Sequence, residues 1–186
     1  MALNIIEAIQ KNLGYPPLQK ADPNVQEINE KDTPAAKDMI AQAAVPAVLA
    51  ALYKLSRTDE GCNKIIAASQ SGDILSLIYE GKENEAVEKV AQYADTTNSQ
   101  AEGYMENIAD EAFRLIKGES GHDTSVANLK TYMNDQRHNI LTYLPASLNM
   151  GDILDDNTMD DQTNKMEGPV SNIVHKIENL LSGGGS

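Results

Sequence analysis

Residues 33–56 read TPAAKDMIAQAAVPAVLAALYKLS, and this stretch decides the fold. Thr33-Pro34 is a helix start: a capping hydroxyl followed by proline at the first helical position, where its missing N–H costs nothing. Met39, Ile40, Ala43, Ala44, Ala47, Val48, Ala51, Leu52 and Leu55 then recur at helical spacing. The alanines would let neighbouring helices approach closely. Pro46 lies inside the stripe, so a kink or break is expected there. The most apolar part, residues 40–55, contains Gln42, Pro46 and Lys54 and falls short of the ~18 apolar residues of a membrane span. It reads as a buried core helix, and no membrane span is expected.

The same periodicity runs outward in both directions. Towards the N-terminus, Ala2, Ile5, Ile6, Ile9 and Leu13 share a face that Gly14 closes. Residues 14–32 read as a linker or wrapping arm containing Pro16, Pro17 and Pro23, with a short helix capped at Asp22-Pro23. Beyond residue 56, Cys62, Ile65 and Ile66 form one short stripe. Asp73 caps Ile74 to Tyr79, Gly81 ends that turn, and Ala86, Val87, Val90, Ala91 and Ala94 form the next. Thr96 to Ser99 breaks the chain and caps a helix with Met105, Ile108, Ala112, Leu115 and Ile116, ending at Gly118. Asp123-Thr124 opens a helix with Val126, Leu129 and Met133. A further helix holds Ile140, Leu141, Leu144 and Leu148, with Pro145 inside it. No alternating strand pattern occurs. The expected fold is all-α: an irregular multi-helix bundle of short helices with flexible N- and C-terminal arms. P-A-x-L occurs at both Pro46 and Pro145. A second pattern, from Glu102-Gly103 to Gly118, recurs from Glu167-Gly168 to Gly183, so a degenerate helical duplication is a further reading.

The expected organisation is an N-terminal helix and proline-containing arm over 1–32, a helical core over 33–149, and an acidic linker over 150–168. An amphipathic helix over 169–182 and a Gly/Ser tail over 183–186 complete it. The linker, GDILDDNTMDDQTNKMEG from 151 to 168, carries six acids against Lys165. Pro169 starts the last helix, where Val170, Ile173, Val174, Ile177, Leu180 and Leu181 make a clean apolar stripe. An isolated helix this short is marginal in water, so the stripe requires a surface and marks these six residues as interaction candidates.

Composition narrows the function classes. Of 186 residues, 15 are Lys or Arg and 28 are Asp or Glu, a net charge of −13. Nucleic-acid binding needs a basic footprint, and docking on anionic lipid needs one too, so neither is expected. Without the seven Tyr and with the twelve Gly, the 41% hydrophobic share becomes about 44%, close to the globular average of about 45–50%. A single cysteine excludes an internal disulfide framework and fits a reducing compartment. Residues 1–13, MALNIIEAIQKNL, lack a basic start and a cleavage site, so a cytoplasmic location is expected.

Three segments in order, PAVLAALYKLSRTDEG (46–61), IYEGKENEAVEKVA (78–91) and LKTYMNDQRHNILTYLPASL (129–148), resemble the bacterial domain-of-unknown-function family numbered 937, related to the YidB-like proteins. The resemblance covers roughly residues 36–150. It implies an all-helical, mostly cytosolic bacterial domain without an assigned activity. Some relatives carry that domain beside a cell-wall-binding domain, which implies interaction work. The chain departs from the family in lacking long glycine-rich stretches and in having the acidic linker and final helix.

Catalytic chemistry has little to stand on. His122, His138 and His175 have no partner at metal-ligand spacing and read as surface histidines. Cys62 shares an apolar face with Ile65 and Ile66 and has no identifiable base, so it reads as a small buried hydrophobe. Walker, G-x-G-x-x-G, G-x-S-x-G and H-E-x-x-H patterns are absent. Asp152, Asp155, Asp156, Asp160 and Asp161 are the weak candidates for a metal site. Neither register fits a Ca²⁺ loop: from Asp152 the sixth place is Asn157 and the twelfth Thr163, and from Asp155 the fifth is Met159. No cofactor is expected. The chain reads as a non-catalytic interaction, scaffold or assembly module, with a protein partner or self-association. The alternative is a small-molecule or divalent-cation binder using residues 152–161, or a cryptic enzyme.

Overall fold

The structure is a computed structural model that describes residues 4–21, 36–68, 73–119 and 125–156. Among these, eight α-helices and one 3₁₀ turn form the fold, and no strand occurs. The helices are α1 (Ile5–Leu13), α2 (Ala36–Ser56), α3 (Asp59–Ala67), α4 (Ile74–Tyr79), α5 (Glu83–Tyr93), α6 (Asn98–Glu119), α7 (Val126–Tyr143) and α8 (Met150–Ile153). The all-α class expected from the helical stripes is the class observed.

The core is built around α2. Ala43 to Val45 and Ala47 to Leu52 have no exposed surface, and Pro46 is buried between them. A helix apolar on every side must be enclosed on every side. Helices α3 to α7 surround it, with α6 and α7 making the largest contacts. Pro46 does not break the helix, which runs through it to Ser56. The proline leaves only the Gln42 carbonyl without its helical donor, and enclosure by five other helices keeps the helix continuous through the site. Over Asp38–Ser56, α2 is long and apolar enough to cross a membrane, but 83% of that window is buried inside the fold. Length alone therefore does not exclude a span here; the burial identifies a core helix.

Several ends follow the sequence. Gly14 takes the left-handed conformation at φ 67° and donates its N–H to Gln10, closing α1. The Asp73 carboxylate accepts from the Ser76 N–H to start α4. Gly61 allows α3 to pass so close to the end of α2 that a Cβ there would lie 1.8 Å from the Leu55 carbonyl oxygen.

Other boundaries moved. The cap of α7 is Ser125, whose hydroxyl accepts from the Asn128 N–H at 3.2 Å. Helix α7 carries Ile140 and Leu141 without interruption, so the two helices expected over 124–148 are one. It ends because Leu144 precedes Pro145 and is pushed out of the helical region, to ψ 114°. The two P-A-x-L stretches therefore differ in structure: Pro46 lies within a helix and Pro145 precedes a 3₁₀ turn (Ala146–Leu148).

The packed core also exceeds 33–149 at both ends. Ile5, Ile6 and Ile9 of α1 are at most 1% exposed and pack in the same cluster as α2. The buried Gln136 carboxamide accepts from the Ile5 N–H at 3.1 Å, and Asn12 donates to Glu111 at 2.7 Å. At the other end Met150, Ile153 and Leu154 are buried, so the first residues of the acidic stretch are core and not solvated linker. Alternation of apolar Met150, Ile153 and Leu154 with Asp152 and Asp155 gives one short turn with both faces used. The expected helix start at Thr33-Pro34 and the helix capped at Asp22-Pro23 lie outside the described residues. So do most of the 150–168 stretch, the 169–182 helix and the 183–186 tail.

Candidate interaction site

The acidic candidates separate once the chain folds. Asp152 is exposed on α8. Asp155 is also exposed and accepts from Lys82 at 2.6 Å, which holds its carboxyl below the usual carboxylate range. Asp156 is only 8% exposed and pairs with Arg57, just past the end of α2. These two contacts fasten the chain after α8 to the start of α5 and the end of α2. Asp160 and Asp161 lie outside the described residues. Among the described residues no group of three or more His, Cys, Asp or Glu side chains could hold a metal ion. His138 is exposed on α7, and His122 and His175 are outside the described residues. Cys62 is fully buried, its thiol donates to the Ser56 carbonyl at 3.0 Å, and burial pushes its pKa up. The interaction candidates Val170, Ile173, Val174, Ile177, Leu180 and Leu181 all lie outside the described residues.

A feature that periodicity does not mark sits at the opposite end of α2. After α1, residues 15–21 run without regular secondary structure across the core as a strap. The Gln42 carboxamide holds the strap by its main chain: Oε1 accepts from the Gln19 N–H at 2.7 Å and Nε2 donates to the Gln19 carbonyl at 2.9 Å. Nε2 also reaches the Tyr143 carbonyl at the end of α7, at 3.4 Å. Two more bonds fix the strap. Gln10 donates to the Pro16 carbonyl at 2.6 Å, and the Ala21 N–H donates to the Thr142 carbonyl at 2.9 Å. Tyr15 stacks on Tyr104 of α6, with ring centroids 5.8 Å apart and planes inclined by 18°. Burial, and secondarily the neighbouring Tyr104, push the Tyr15 phenol up to about 12.

Between strap and core lies a cleft of about 200 Å³. The strap contributes Pro16, Pro17 and Gln19 to its wall, and α2 contributes Asp38, Met39 and Gln42. Tyr93, the last residue of α5, completes the described lining. Sequence periodicity passes over these groups because none belongs to an apolar stripe except Met39. The available signal is local: Tyr15-Pro16-Pro17 is an extended aromatic-proline run, and Gln42 is the polar interruption in the alanine-rich face of α2.

No family model matches the chain, and neither a curated protein nor a solved structure matches it. The resemblance to the family numbered 937 rests on the three quoted segments alone.

Proposed function

We propose that the chain is a non-catalytic interaction module whose helical core holds extended, proline-containing polypeptide along the N-terminal half of α2. The observation that carries this reading is the clamp of Gln42 on both main-chain groups of Gln19. A carboxamide that reads an N–H and a C=O together grips an extended backbone whatever its side chains. Pro16 and Pro17 beside Met39 and Tyr93 add the pairing of proline with an aromatic-lined groove used in polyproline recognition. In the chain at rest its own strap lies along the groove and leaves a cleft beneath it. The amphipathic stripe from Val170 to Leu181 supplies a second docking element by the helix-in-groove mode. The hold of Lys82 on Asp155 and of Arg57 on Asp156 weighs against the divalent-cation alternative, because both carboxylates are already engaged.

The test is nuclear magnetic resonance on the full chain carrying Gln19→Pro, which removes the strap's N–H to Gln42 and leaves Gln42 in place. A peptide with the sequence of residues 14–21, added in trans, should shift the resonances of Met39, Gln42, Tyr93 and Thr142. Adding Gln42→Ala should abolish the shifts. Absence of any shift at millimolar peptide would sink the reading.

A further inference from the structure

We propose that the cleft under the strap binds an alkylammonium group, the chemistry shared by a lysine side chain and a free polyamine; the inference rests on reading the strap groove as a recognition surface. Among the described residues that line the cleft Asp38 is the one ionised group, and among the described residues it forms no ion pair and no side-chain hydrogen bond. The Gln42 carboxamide, by contrast, is fully engaged by the strap and by Tyr143. A free carboxylate in a recess selects for positive charge, and a protein of net charge −13 draws cations towards it.

The rest of the wall decides which cation fits. Pro16, Pro17 and Met39 offer aliphatic surface, which suits the methylenes of an alkyl stem. Tyr93 offers a ring, the usual neighbour of an organic ammonium. A hard metal ion is poorly served, since Ca²⁺ takes about 6–8 oxygen ligands and the described residues lining the cleft supply one carboxylate. The volume of about 200 Å³ is below the ~300–1,000 Å³ of pockets for drug-sized ligands, so a short stem with one charged head fits. Asp38 also lies in the first turn of α2, where the helix dipole favours negative charge. That role predicts nothing about ligands, so binding separates the two.

The experiment titrates the wild-type full chain with Nα-acetyl-lysine methylamide and, separately, with spermidine, following Asp38, Met39, Gln42 and Tyr93 by magnetic resonance. Saturable shifts confined to these residues and the strap are expected for both. Asp38→Asn should weaken binding at least ten-fold and Tyr93→Ala several-fold. Tyr93→Phe and Asp152→Asn, at an exposed residue that does not line the cleft, should leave it unchanged. Near-equal binding of the two probes assigns the site to a lysine side chain, and a ten-fold preference for spermidine assigns it to a free polyamine. Equal binding of the uncharged norleucine analogue, insensitivity to Asp38→Asn, or no saturation at tens of millimolar would overturn the proposal. If the peptide of residues 14–21 binds while both amines fail, the groove reads backbone only and the ammonium assignment alone falls. If the amines bind while the peptide fails, the cleft is a free-amine site and the groove reading falls.

Discussion

Helix α2 and the strap across its N-terminal half touch each other yet are held by opposite means. From Ala43 to Leu52 the helix is wholly enclosed, and its hold is apolar burial on every side. The strap leaves Pro17, Gln19 and Lys20 exposed; apart from Tyr15 and Leu18, which pack against the core, its hold is a handful of hydrogen bonds to main-chain groups. Burial on this scale is shared by the whole domain and is lost only when the domain unfolds. A few bonds at a wet surface open locally at much lower free energy. The difference teaches where each kind of work can sit: α2 fixes the frame, and the strap is the part that can exchange with something else.

The comparison breaks first on the helix side. Leu52→Ala should cost about 2–5 kcal/mol, because it removes a fully buried side chain and leaves a cavity in its place. Denaturant titration measures it, and a loss under 1 kcal/mol would mean that α2 is not tightly enclosed. Gly61→Ala comes next. The added Cβ would meet the main-chain oxygen of Leu55 at 1.8 Å, so α3 must move away from the end of α2. A cost of about 1–3 kcal/mol is expected, in the range of overpacked cores, and an unchanged midpoint would show that α3 is free to shift.

The same contrast explains what could be read from the sequence. Burial by stripe was legible: Ile5, Ile6 and Ile9, the alanine face of α2, and Met105, Ile108 and Ala112 of α6 all occupy the core. Caps at Gly14 and Asp73 were legible too, because each is a local choice. The joining of α7 was not, since enclosure by neighbours overrides a weak local break and Pro145 acts only on the residue before it. The burial of Ile153 and Leu154 was hidden by the aspartates around them. Gln42 stood out only as a polar residue in an apolar face. Its partner Gln19 is 23 residues away, and no periodicity connects a side chain to the backbone of an irregular segment.

Between helix and strap stands α1, which is buried like α2 but also tied by polar contacts at its rim. Glu111 of α6 receives two hydrogen bonds from Arg114, at 2.7 and 2.5 Å, and one from Asn12 of α1. Chiefly the Arg114 bonds, with that from Asn12, hold its carboxyl below the usual value of 4.5. A folded-state pKa below the unfolded one means that the unfolded chain takes up protons first. The contribution is complete above pH 4.5 and fades as the pH falls through and below that value. Stability measured from pH 6 to pH 3 should therefore fall less steeply in Glu111→Gln than in the wild type. Identical slopes would mean that the bonds from Arg114 and Asn12 to Glu111 do not stabilise the fold.

The smallest effect on stability is the most telling for the strap. Gln42→Ala deletes two hydrogen bonds to Gln19 and the longer one to Tyr143, all at a partly wet surface. A typical bond of this kind contributes about 0.5–1.5 kcal/mol when its partners are buried. Here Gln19 is exposed and its freed N–H and C=O turn to water, so global stability should change by under about 1 kcal/mol. Local behaviour should change far more. In the wild type the amide of Gln19 is covered by Oε1 of Gln42 and that of Ala21 by the Thr142 carbonyl. Without Gln42 the Gln19 amide should exchange with solvent at close to the unprotected rate. The Ala21 amide should speed up as well, because the chain between them is no longer pinned. Amides of Val48 to Leu52 should keep the slow exchange set by global unfolding. Hydrogen exchange read residue by residue separates the two regions in one experiment. If Gln19 and Ala21 stay protected in Gln42→Ala, the strap is held by its side chains and the backbone clamp is incidental. If Val48 to Leu52 speed up in parallel, strap and helix open as one unit and the strap is not free to exchange.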